Sequence, residues 1–70
     1  MDRREIVIQA ACVEAMAFAH EKGLGGPAAM AAAARTACAT ASRILNAPVA
    51  ETEVRQALRE LKARKAFAPR

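Results

Sequence analysis

The side chains able to do chemistry in this sequence are few: two cysteines, Cys12 and Cys38, and a single histidine, His20. Catalysis asks for a nucleophile, a base and a group that stabilises developing charge, all converging on one point. His20 stands beside Glu21 and Lys22 at the polar end of a long apolar stretch, the setting of a solvated surface histidine. Cys12 belongs to the same stretch but does not face His20, and no second ligand candidate follows metal spacing. Both thiols read as small buried hydrophobes, reduced rather than bridged, as expected where nothing marks a secretory context. The run Gly23-Leu24-Gly25-Gly26 precedes a helix start and has the backbone to hold an anion. It lacks the lysine and hydroxyl of a phosphate loop and follows a helix rather than a strand, so it reads as a connector. The residues therefore predict no catalytic group, no metal and no cofactor. The chain is expected not to be an enzyme.

These residues ride on three predicted helices. Breakers at Gly23, Gly25, Gly26 and Pro27, and again at Asn46, Ala47 and Pro48, divide the chain, and no stretch alternates like a strand. The spacing predicts helices over about 2–22, 27–45 and 49–65, with the third starting at Val49 or Thr52. Asp2 is the expected N-cap of the first, with Glu5 in the capping-box position and Gly23 as its stop. Gly26 is the expected cap of the second, with Pro27 at its first position.

The three faces differ. On the first helix Ile8, Cys12, Ala15 and Ala19 share one side, while Ile6, Ala10, Val13 and Ala17 form a second apolar stripe. Two apolar faces predict a helix buried on more than one side. The second helix is dominated by alanine from Ala28 to Ala41, read equally well as a tight interhelical seam or as helix-forming filler. The third is the most plainly amphipathic, with Val54, Ala57, Leu58 and Leu61 on one face. Arg55, Arg59 and Lys62 border that face, and Phe67 is expected to fold back as a plug.

Size and charge bound the rest. Seventy residues make one domain, and such a chain buries only about 60% of its unfolded surface. Large apolar side chains are scarce, and small scaffolds need a staple: a disulfide, a metal or a partner chain. With the first two lacking, a homodimer is expected, packed through the stripe of Ile6, Ala10, Val13 and Ala17. The charge of +4, from eleven Lys/Arg against seven Asp/Glu, permits an acidic partner without requiring one. Arg3-Arg4, an apolar run and Ala17-Phe18-Ala19 outline a secretory leader, but Asp2, Glu5, Gln9 and Glu14 interrupt it. Arg35 breaks the other apolar stretch, itself too short to span a bilayer. A cytoplasmic protein that does not insert in membranes is expected.

Residues 41–67 read as a helix, a turn with Asn46 and Pro48, and a helix carrying Val54, Ala57, Leu58 and Leu61 that ends Lys-Ala-Arg-Lys-Ala-Phe. This segment resembles the second and third helices of a winged-helix or helix-turn-helix domain. The resemblance implies a third helix in the DNA major groove, with Arg55, Arg59 and Lys62 as contacts and Arg43 and Lys65 clamping the backbone. The sequence departs from that pattern in a turn about two residues longer than usual. It also places Glu51 and Glu53 where base-reading residues would stand. Two functions from different classes follow. The first is a non-enzymatic protein-binding module, an adaptor, inhibitor or regulatory subunit. The alternative is a DNA-binding transcriptional regulator using the basic third helix.

Overall fold

A computed structural model describes residues 2–64. Asp2 starts the first helix: its Oδ1 accepts the Glu5 backbone N–H at 2.9 Å, satisfying a donor the helix leaves open. This helix, α1, runs Arg3–Glu21. Gly23, at φ +82°, ends it in the left-handed conformation that a side chain would strain. Its N–H bonds the His20 carbonyl and the Leu24 N–H the Ala19 carbonyl, the paired closure of a Schellman motif.

The second helix, α2, spans Gly26–Leu45. Its cap falls at Gly25, one residue before the expected Gly26, and Pro27 lies in its first turn, where a missing N–H costs nothing. Asn46 takes the left-handed place at the far end (φ 51°), with Asn46 N–H on the Arg43 carbonyl and Ala47 N–H on the Ser42 carbonyl. Both interhelical turns are thus closed by the same device.

The third helix, α3, covers Glu51–Ala63, beginning later than position 49. The cause is local. Val49 is drawn back to α2, its N–H donating to Ser42 Oγ at 3.2 Å while its carbonyl accepts from Cys38 Sγ at 2.9 Å. Held there, it is extended chain and not a first helical turn. Lys65 and Phe67, expected as a backbone clamp and a plug, lie outside the described residues.

Each helix packs on the other two, and the described residues hold no strand. The radius of gyration is 11.2 Å, close to the roughly 11 Å of a compact chain of this length. Among the described residues nine of the sixteen buried apolar ones are alanine, and every buried residue of α2 is one: Ala29, Ala33, Ala34, Ala37 and Ala41. Against them α1 sets Ala11, Ala15 and Ala19. These alanines are a seam, because a side chain of one carbon lets two backbones approach closely. Ala28 and Ala39, exposed on the same helix, are filler.

Bulk comes from α3. Among the described residues Leu58 and Val54, with Cys12 of α1, are the largest side chains wholly out of water. Truncating a buried leucine costs about 2–5 kcal/mol, against the roughly 5–15 kcal/mol that holds a domain folded. The core therefore hangs on few residues.

Candidate functional site

The first candidate surface is on α1. Its buried residues, Ile8, Ala11, Cys12, Ala15, Met16 and Ala19, lie on one side. Ile6, Ala10, Val13 and Ala17 lie opposite them at helical spacing, and all four are exposed, Ile6 at 52% and Val13 at 44%. Burial of α1 on two sides, expected from its pattern, is not met within the single chain. Three short helices offer α1 only one concave side, so the second stripe faces solvent. Phe18 is exposed as well, and Lys22 lies over its ring, with Nζ 4.7 Å from the ring centre in a cation–π contact.

The second candidate surface is basic. Arg55, Arg59 and Lys62 are exposed on α3, and Arg43 is exposed in the last turn of α2. Two of these cations are tethered along their own helix: Arg55 Nε lies 3.6 Å from Glu51, and Arg59 Nη2 donates to Gln56 Oε1 at 3.1 Å. Such exposed pairs are worth little in stability, yet they extend the side chains along the helix.

Arg35, read in the sequence only as a break in an apolar run, belongs on the same side by helical phase. Cys38 and Ser42 reach the Val49 segment that leads into α3, so the flank of α2 carrying them turns toward α3. Arg35 precedes them by three and seven residues, hence on that same flank, and is exposed. On α3 the opposite flank, with Gln56, Glu60 and Arg64, lines a cleft against Glu5 and Gln9 of α1. Arg55, Arg59 and Lys62 turn away from that cleft. By helical phase these four cations lie on the flanks of α2 and α3 turned toward one another, and α2 contributes no acid. A helical phase could have found Arg35 only if the neighbour of each flank had been known.

Acids collect elsewhere. Glu14 and Glu21 line a shallow cleft between α1 and α2 with Thr36 and Thr40. At the start of α3, Glu53 is bound from two directions. Arg4 donates Nη2 to its Oε1 at 2.8 Å and Nε to its Oε2 at 3.1 Å, and the same Nη2 reaches the Pro48 carbonyl at 3.2 Å. The Ala50 N–H also donates to Glu53 Oε1, at 3.4 Å. The hydrogen bonds from Arg4 hold the Glu53 carboxyl below its ordinary range. Glu51 and Glu53 complement the positive end of α3, and their charge occupies the turn that would meet phosphate in a groove-bound recognition helix.

The cysteines and the histidine do not converge. Cys12 is wholly buried, its thiol pushed up to about 11 by desolvation, and its Sγ faces the Val54 carbonyl at 3.8 Å. Cys38 is half-buried and engaged with Val49, both thiols are free, and His20 is exposed at the far end of α1. Among the described residues no three metal-binding side chains gather, and no helix is long and apolar enough to cross a membrane.

The described residues form a small, compact, all-α fold of three helices with an apolar outer stripe and exposed cations on α2 and α3. No family model, no curated protein and no solved structure matches the chain.

Proposed function

We propose that this chain is a non-enzymatic protein-binding module, of the adaptor, inhibitor or regulatory kind, whose working surface is the outer face of α1. The supporting observation is the exposed stripe of Ile6, Ala10, Val13 and Ala17, set opposite the buried face of the same helix. An apolar stripe at helical spacing is the surface that a partner helix covers. A domain with so few large buried side chains also gains from covering it. Its first occupant is a second copy, giving a homodimer.

Sedimentation equilibrium over a concentration series tests the reading, with circular dichroism to follow the fold. Wild type associates, while Val13→Glu is monomeric with unchanged helix content. A Val13→Glu chain that associates as wild type does, or a wild type monomeric throughout, removes the reading.

The second reading is DNA binding through the α2–α3 side. What favours it is the gathering of Arg35 with Arg55, Arg59 and Lys62. Anisotropy with labelled duplex at about 50 and 200 mM salt decides it, because phosphate contacts lose most of their affinity across that range. Changing Arg55, Arg59 and Lys62 together to Gln abolishes a salt-dependent signal if these residues carry it. No binding by wild type at the lower salt sets this reading aside.

A further inference from the structure

We infer that the second copy binds antiparallel, α1 against α1 about a two-fold axis between Ala11 and Cys12, with Ile6 packed on Ala17 and Val13 on Ala10. The inference rests on the outer face of α1 being the working surface and adds its register and direction.

Two observations carry it. The stripe is spaced 4, 3 and 4 residues, which reads the same in both directions and is the alternation of a short coiled-coil seam. Reversing one copy about the centre superimposes the stripe on itself. The side chains then match in size: each large residue, Ile6 or Val13, meets an alanine, Ala17 or Ala10. A parallel pair in register would instead set Ile6 on Ile6 and leave gaps where alanine meets alanine. Facing rows interdigitate better when large sides meet small.

Charge is also met in this direction. Arg3 and Glu21 both flank the stripe on one side, near opposite ends of α1, and both are exposed. Antiparallel pairing brings the Arg3 of one copy beside the Glu21 of the other, twice per dimer, and sets His20 across from Asp2. A parallel two-fold pair would set the Arg3 flank against the opposite flank of the other copy, near its Asp2, so charge is met in either direction and the large-to-small fit selects between them. Glu14 lies on the Arg3 flank too, offset from its own copy by about 7.5 Å along the axis at 1.5 Å per residue, where exposed like charges are well screened. The helix dipoles also oppose one another in the antiparallel pair.

Crosslinking tests the direction. Ile6→Cys and Ala17→Cys chains are prepared separately, mixed, and treated with a short thiol-to-thiol crosslinker, with wild type giving the background from Cys12 and Cys38. The mixture is expected to yield the 6–17 product by peptide mass mapping, and Ile6→Cys alone no 6–6 product, since those positions stand roughly 16 Å apart along the axis. A charge exchange gives an independent readout. Arg3→Glu weakens association roughly two- to tenfold, and adding Glu21→Arg restores it. A 6–6 product, or a double variant weaker than the single, overturns the antiparallel register. If Val13→Glu still dissociates the dimer in that case, the α1 surface stands and only the geometry falls; a dimer indifferent to Val13→Glu removes both.

Discussion

Arg4 and Glu53, separated by 49 positions, form a two-pronged ion pair that joins the start of α1 to the first turn of α3. The same guanidinium bonds the Pro48 carbonyl, so one side chain secures both the connection into α3 and its first turn. Glu53 in turn receives the Ala50 N–H, an open donor at the helix start. The start of α3 is thereby occupied by contacts within the chain.

This pair makes stability depend on acid. The hydrogen bonds from Arg4 lower the Glu53 carboxyl from its ordinary 4.5, so folding binds fewer protons there than the unfolded chain does. Its contribution is complete above 4.5 and is lost as pH falls through the lowered folded value. Denaturant midpoints near pH 7 and near pH 3 are expected to differ less in Glu53→Gln than in wild type. An equal difference in both chains would remove Glu53 as a source of the acid sensitivity.

Val49 gives a second prediction. Ser42→Ala leaves its buried N–H without a partner, at a cost of about 1 kcal/mol, or a fall in Tm of roughly 4–8 °C for a domain of this size. Cys38→Ala removes the donor to the carbonyl of the same residue. Because both changes act on one residue, the double variant should lose an amount different from the sum of the two. Strict additivity would show that the two bonds act independently.

The alanines of α2 separate by position. Ala37→Leu forces a large side chain into the α1–α2 seam and is expected to cost about 1–3 kcal/mol. Ala39→Leu, on an exposed position two residues later, should stay within about 0.5 kcal/mol of wild type. Urea unfolding of the two variants measures both. Equal effects would mean that the seam yields as readily as the surface.

Cys12 should resist alkylation. Burial keeps its thiol protonated to about 11, and the thiolate is the reactive form. In native protein near pH 8, iodoacetamide is expected to leave Cys12 unmodified until denaturant is added, as peptide mapping would read. Rapid native labelling of Cys12 would place it in water and contradict the packing against Val54.

The helices are set by local signals. Breakers at Gly23–Pro27 and Asn46–Pro48, the Asp2 cap and the leucine spacing of α3 act within a few residues of where they occur. Three helices were therefore legible, within one or two residues at most ends. The second apolar stripe of α1 was legible for the same reason, since helical phase is a local property. Whether that stripe was buried was not, because burial depends on how many sides its neighbours cover.

The relations between the helices come from their packing. Arg4 finding Glu53, Val49 being held by Cys38 and Ser42, Arg35 joining the cations of α3, and the division of alanines between seam and surface all require knowing which flank faces which helix. Periodicity states that a helix has a face; the packing of three helices around one small core selects what that face meets.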